Sequence, residues 1–196
     1  MTVPNAITLL RFLLIPVFAG ALLYYQQSFR AGVPDNVYWA WALGAFVLAA
    51  VSDALDGAIA RIFKQKSRLG AIMDPLADKA LLVTALIMLS SIDSDMARLP
   101  IWFVVLVLGR DLLLVLGVAS LHVFVRHVAI RPHWTGKAST ALQMIAVSMV
   151  LLKLPLSWVM PVVILGGAAT LASTGVYLAR GVRAVAVSGF DRPQHH

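Results

Sequence analysis

The chain has 196 residues, 60% of them hydrophobic and 13% charged, with a mean hydropathy of +0.86. A soluble domain is usually just under half apolar, so this composition excludes an ordinary water-soluble globule and calls for lipid as solvent. The absence of Cys excludes disulfides and thiolate metal sites, and the formal net charge of +7 favours anionic headgroups or phosphorylated substrates as partners.

Crossing the hydrocarbon core takes about 20 apolar residues as a helix. Six stretches fit that with short connections: Ala6–Tyr25, Val37–Ala60, Gly70–Ser91, Pro100–Val125, Thr135–Leu152 and Leu156–Ala179. They predict an all-α integral membrane protein of six transmembrane helices. No small-residue cleavage site follows the first stretch, which therefore reads as a retained helix rather than a signal peptide. Pro34, Pro100, Pro132 and Pro155 lie at or near boundaries, whereas Pro16, Pro75 and Pro161 fall within or near the start of spans and are candidate kinks. Residues 1–186 read as one domain, with a loose polar tail over 187–196.

Lysine and arginine set the orientation. The loop after the second span carries Arg61, Lys64, Lys66 and Arg68; the loop after the fourth carries Arg126, Arg131 and Lys137; and Arg180, Arg183 and Arg192 follow the sixth. The opposite loops hold Arg30, Arg98 and Lys153 among Asp35, Asp93 and Asp95. Both termini are therefore expected to be cytoplasmic, in a cytoplasmic (inner) membrane. The basic residues cluster at the ends of spans and form no separate domain, which argues against nucleic acid as a partner.

All 9 acidic residues are Asp, and Asp53, Asp56, Asp74, Asp78 and Asp111 fall inside the spans. Burying one acid at a helix centre costs about 2.5–3.5 kcal/mol on insertion scales, so four together need compensation. Asp53 and Asp56 are three apart and Asp74 and Asp78 four apart, so each pair shares one helix face. At about 1.5 Å per residue, Asp56 and Asp53 lie roughly 8 and 12 Å from Arg61, and Asp74 and Asp78 roughly 6 and 12 Å from Gly70. In an antiparallel hairpin the pairs match in depth near the cytoplasmic surface. Facing carboxylates suit hard divalent ions such as Mg²⁺ or Mn²⁺, and two such ions would neutralise all four while clamping a diphosphate. Gly57 and Gly70 leave room for a ligand or a close helix, and Arg61 offers a bidentate phosphate contact. A cation transporter with an acid-lined site is the rival class, although the outer halves of the spans hold no matching acids. Pairing with Lys79 cannot serve four carboxylates.

The pattern Asp53-x-x-Asp56-Gly57-x-x-Ala60-Arg61, eight residues, then Gly70-x-x-x-Asp74-x-x-x-Asp78 resembles the signature of the CDP-alcohol phosphotransferases (CDP-alcohol phosphatidyltransferases) at all eight positions. The resemblance implies a six-helix membrane enzyme, a homodimer, that displaces CMP from a CDP-linked lipid with an alcohol. It implies Asp53, Asp56 and Asp74 as metal ligands, with Asp78 as general base and a share in coordination. It also implies that Asp53, Gly57, Ala60, Arg61 and Gly70 contact the cytidine diphosphate.

The opening "VPNAITLLRFLLIPV", with Asn5, Thr8 and Arg11, is similar to the branch that makes phosphatidylglycerophosphate or cardiolipin, which adds Asn5 and Thr8 to the nucleotide site. "DPLADK" (Asp74 to Lys79) and "GKASTALQM" (Gly136 to Met144) are similar to the same branch. The implied donor is CDP-diacylglycerol, and the implied acceptor is glycerol-3-phosphate or phosphatidylglycerol, with inositol phosphate or serine as alternatives. Phosphatidylglycerophosphate synthases usually carry Arg-Glu in the fourth span and a second Arg two turns on. Here the pair is Arg110-Asp111 and the later position is Val118, a form that looks more like cardiolipin synthases. Lys137, Arg110 and Arg131 are candidates for holding an anionic acceptor, while Arg110-Asp111 also reads as a structural ion pair. His122, His127 and His133 read as interfacial residues. The five tryptophans read as an aromatic belt, and Gly166-Gly167 as a helix-packing pair that could also serve a dimer interface.

Overall fold

A computed structural model describes the backbone of residues 3–63, 70–124 and 134–190, and the side chains of residues 9–52, 73, 76–117, 134 and 136–179. Each of the six apolar stretches is a helix: α1 (Val3–Arg30), α2 (Asn36–Phe63), α3 (Gly70–Ser91), α4 (Ile101–Phe124), α5 (Trp134–Leu151) and α6 (Leu156–Phe190). Among the described residues there is no strand. Pro16 and Pro161 lie inside α1 and α6, where each removes one backbone donor. α6 continues to Phe190, past Val187, where the tail was expected to begin. The run Ala184-Val185-Ala186-Val187 has no Gly or Pro to stop it.

Among the described residues, two helical segments are long and apolar enough to cross a membrane by length and composition, Leu9–Arg30 and Leu156–Ala179, with shorter apolar helical runs over Asn36–Ser52 and Gly136–Leu151. Large side chains such as Leu13, Val105, Val115, Leu165 and Leu171 are each at least half exposed. Apolar surface of that extent is stable against lipid rather than water, and the chain is a membrane-associated protein.

The chain divides into two compact units: 1–99 with 147–159, and 100–146 with 160–196. In the first, α1 packs against α2 and α3, and α2 touches α3. The contact face of α1 is Leu14, Phe18, Ala21, Leu22 and Tyr25, at the three-and-four spacing of a single helical stripe. On α2 the matching stripe is Ala42, Ala45, Phe46 and Ala49, and its small residues let the backbones approach while Phe18 and Phe46 meet at 5.9 Å. Arg11 is fully buried in this unit.

The ends of these helices are tied down locally. α1 ends at Gly32, whose φ of +78° is the left-handed conformation of a helix stop, with Val33 N donating back to Ser28 O. Asp35 caps α2 through Val37 N at 2.9 Å. α5 ends with the same left-handed turn, but built on Lys153 (φ 56°), with Leu154 N donating to Met149 O. Lys153 Nζ donates to Asp95 Oδ2 at 2.9 Å, Tyr25 Oη at 2.8 Å and Asn36 Oδ1 at 3.2 Å. It also lies within 5 Å of the Tyr25 and Trp39 ring centroids. Arg30 and Arg98 both pair with Asp93. Arg30 and Arg98 thus share one carboxylate, while Lys153 has Asp95 to itself among the ion pairs of the described residues.

Burial works against the charged forms of Asp95 and Lys153. Their mutual hydrogen bond and those to Tyr25 outweigh it, holding the Asp95 carboxyl below its ordinary range and the Lys153 amine above its own. The hydrogen bond from Arg30 lowers Asp93.

In the second unit, Phe103 is fully buried against Gly166, where an added Cβ would sit 3.3 Å from its ring. A Cβ on Gly167 would sit 2.9 Å from Trp102. The glycine pair is therefore a packing surface for two aromatics of α4. α5 and α6 are joined by a buried polar set: Ser139 and Thr170 share a 2.7 Å hydrogen bond, Gln143 Nε2 donates to Ser139 at 3.0 Å, and Thr170 returns to Gly166 O. In an apolar interior such bonds fix helix register, because the alternative is an unmet polar group.

Candidate active site

The signature lies on two helices of the first unit. Asp53, Asp56, Gly57, Ala60 and Arg61 occupy the last turns of α2, Gly70 opens α3, and Asp74 and Asp78 follow within it. The backbone is helical through all eight positions, which is the condition the spacings of three and four require. The side chains of Asp53, Asp56, Gly57, Ala60, Arg61, Gly70 and Asp74 lie outside the described residues, as do those of Asn5 and Thr8 in the first turns of α1. Asp78 is described and half-buried, one residue after the fully buried Ala77 and one before Lys79. Among the described residues no three acids or histidines gather, and Asp78 is the one member of the quartet in that set. His122, His127, Arg131 and His133 also lie outside it.

The second unit holds a cavity of ≈ 420 Å³ with Arg110, Gly136, Lys137, Thr140 and Tyr177 on its wall. Ala141 and Met144 complete an apolar side. Arg110 and Lys137, on different helices, thus line one cavity.

Arg110 is 7% exposed, and its guanidinium is fixed. Nη1 donates to Asp111 Oδ1 at 3.0 Å and Nη2 to Ser173 Oγ at 3.1 Å. The expected structural ion pair with Asp111 exists, yet the same Arg110 also faces the cavity. Gly136 makes this possible: a Cβ there would lie 2.9 Å from Arg110 Nη2. The guanidinium occupies the notch left by the missing side chain. Lys137 is exposed and can follow a ligand, so the cavity has one fixed and one mobile cation.

Sequence reasoning missed Gly136, Thr140, Ser173 and Tyr177 as parts of this cavity. Gly136 and Thr140 stood inside a stretch already singled out for its pattern. Ser173 and Tyr177 carried a separate signal: Thr170, Ser173, Thr174 and Tyr177 form a polar stripe at three-and-four spacing in an otherwise apolar helix.

A family model described as CDP-alcohol phosphatidyltransferase matches residues 1–174, a stretch that takes in parts of both units. A protein named "Probable phosphatidylglycerophosphate synthase" from Mycobacterium tuberculosis (strain ATCC 25618 / H37Rv) is 38% identical over 183 residues, covering 91% of this chain and 81% of the relative. A "CDP-diacylglycerol--glycerol-3-phosphate 3-phosphatidyltransferase" from Cereibacter sphaeroides is 36% identical, over 77% of this chain and 63% of its own length. A "Cardiolipin synthase (CMP-forming)" from Streptomyces coelicolor is 32% identical, over 81% of this chain and 69% of its own.

Proposed function

Because the chain belongs to the CDP-alcohol phosphatidyltransferase family, we propose that it transfers the phosphatidyl group of CDP-diacylglycerol to a glycerol-based alcohol and releases CMP. The observation that carries this reading is the complete eight-position signature on the helical backbones of α2 and α3. Relatives named for glycerol-3-phosphate transfer and for cardiolipin synthesis support an acceptor carrying a glycerol phosphate, either glycerol-3-phosphate or phosphatidylglycerol.

Four carboxylates in two same-face pairs fit hard divalent cations by their oxygen donors and by the charge they leave to be neutralised. Asp53, Asp56 and Asp74, with a share from Asp78, would hold Mg²⁺ or Mn²⁺, which would supply Lewis-acid stabilisation of the diphosphate. Asp78 takes the proton of the acceptor hydroxyl. The hydroxyl oxygen then forms the new bond to the phosphorus bearing diacylglycerol, and the bond from that phosphorus to the CMP oxygen breaks. Arg61 steadies the phosphates, with Gly57, Ala60 and Gly70 leaving the nucleotide room and Asn5 and Thr8 contacting it. Arg110, Lys137 and Arg131 hold the acceptor's anionic group.

The topology proposed with this chemistry is six spans with both termini cytoplasmic, in a homodimer. The uneven Lys and Arg count supports it, with Arg30, Arg98 and Lys153 alone after α1, α3 and α5 and the clusters Arg61 to Arg68, Arg126 to Lys137 and Arg180 to Arg192 on the other side.

The test is CMP release by purified protein from CDP-diacylglycerol with Mg²⁺ or Mn²⁺, offering glycerol-3-phosphate, phosphatidylglycerol, inositol phosphate and serine separately. A phosphatidyl product with either of the first two is expected. Turnover with none of the four would sink the assignment.

A further inference from the structure

The cavity wall has one hydroxyl whose role the reaction does not yet explain. Thr140 Oγ1 donates to Gly136 O at 3.2 Å, the ordinary self-satisfaction of a threonine within a helix. Ser173, one turn before Tyr177, is engaged by Arg110 Nη2. The Tyr177 hydroxyl sits close by, 3.6 Å from the position a Cβ of Gly136 would take, as Arg110 Nη2 sits 2.9 Å from it. Gly136 thus opens a single notch on which a fixed guanidinium and a phenolic hydroxyl converge, with Lys137 on the same wall. A phenol can donate to a phosphate oxygen and accept from an alcohol, both of which a glycerol phosphate offers.

We propose that Tyr177 is a specificity-determining residue for the acceptor. In this proposal α6 completes a recognition site in which Tyr177 hydrogen-bonds the glycerol phosphate beside Arg110, and Gly136 and Ser173 are the positioning residues that seat the guanidinium. This rests on the transferase reading above and extends it to a helix that the sequence showed only as an apolar span. Ala141 and Met144 on the same wall suit the carbon skeleton of the acceptor rather than a second charged group.

The test is steady-state kinetics of Tyr177→Phe, which removes one oxygen and keeps the ring. The Michaelis constant for the acceptor should rise about tenfold, the usual weight of a hydrogen bond to a charged group, while that for CDP-diacylglycerol stays within twofold. Gly136→Ala, acting through Arg110, should raise the same constant. The chain has no Cys, so Tyr177→Cys supplies a readout independent of turnover. Its alkylation by a maleimide should be slowed by the alcohol that the wild type uses, glycerol-3-phosphate or phosphatidylglycerol in mixed micelles, and not by CDP-diacylglycerol.

An unchanged acceptor constant in active Tyr177→Phe, or an equal rise for both substrates, would overturn the proposal and leave the transferase reading standing. So would alkylation that the acceptor does not slow. A wild-type enzyme that releases no CMP with any alcohol would overturn both together.

Discussion

Lys153 Nζ and Asp95 Oδ2, 58 positions apart in sequence, meet at 2.9 Å, and the lysine does so from a left-handed backbone with φ of 56°. That conformation costs a non-glycine residue roughly 1–2 kcal/mol. Glycine would close α5 there without strain. The side chain offsets the cost through its hydrogen bonds to Tyr25, Asn36 and Asp95 and its position over two aromatic rings. Lys153 thereby fastens the α5–α6 turn to α1, the start of α2 and the segment after α3, all within one compact unit.

Two substitutions at this position separate backbone from side chain. Lys153→Ala loses the contacts and keeps the strain, whereas Lys153→Gly loses the contacts and relieves it. Both should lower the midpoint of thermal unfolding in detergent, with the alanine variant the less stable by about 1 kcal/mol. Equal midpoints, or a less stable glycine variant, would mean that the left-handed turn stores no strain.

The same cluster gives a pH dependence with a definite sign. Asp95 is lowered from 3.8, so its contribution is present above that value and is lost as acid brings the pH through its depressed folded value. Lys153 is raised from 10.5, so its contribution is present below that value and is lost as alkali takes the pH through its elevated folded value. Stability from this pair should be flat between the two limbs. Asp95→Asn should lower the plateau and shrink the acid-side fall, as followed by tryptophan fluorescence across a pH series. An undiminished acid-side fall in the variant would assign that limb to other carboxylates.

The helices were legible because each apolar run is bounded by proline, glycine or charge; the bounds of α3, α4 and α5 follow that punctuation closely, whereas α1 runs on to Arg30 and α6 passes Arg180, Gly181 and Arg183 to reach Phe190. The aspartate quartet stood out for the opposite reason, as four acids within apolar sequence, but only Asp78 of the four has a described side chain. The Lys153 cluster was not. Its partners lie 58, 117 and 128 positions away, and a lone lysine in a short loop reads only as a topology charge. Tyr177 was overlooked although it ends the polar stripe Thr170, Ser173, Thr174, Tyr177, because the surrounding residues of α6 are apolar. Which helix face turns inward is decided by partners far along the chain.

Gly166 offers a test of packing inside the second unit. A Cβ there would sit 3.3 Å from Phe103 and 3.4 Å from Leu142, and Phe103 is fully buried and cannot swing away. Gly166→Val should therefore cost about 1–3 kcal/mol by overpacking. Gly44 in α2 has nothing within 4 Å of its virtual Cβ. Gly44→Ala should be neutral or stabilising by up to about 1 kcal/mol through helix propensity. Thermal midpoints of the two variants should move in opposite directions or leave only the first changed. A harmless Gly166→Val would show that α4 and α6 are not packed as closely as this geometry requires.

The proton transfer is the step on which the reaction reading can be broken most directly. Asp78 is half-buried in α3, beside the buried Ala77. Asp78→Asn keeps the shape and a carbonyl oxygen while removing the base, so CMP release should fall by at least 10²-fold, the usual worth of a positioned general base. Binding of CDP-diacylglycerol, measured by equilibrium dialysis with the labelled nucleotide lipid, should remain because Asp53, Asp56 and Asp74 are intact. Asp53→Asn should instead weaken that binding along with turnover, since it would remove a metal ligand. Equal loss of nucleotide-lipid binding in both variants would make coordination rather than proton transfer the main role of Asp78, and unimpaired turnover in Asp78→Asn would remove it from the reaction altogether.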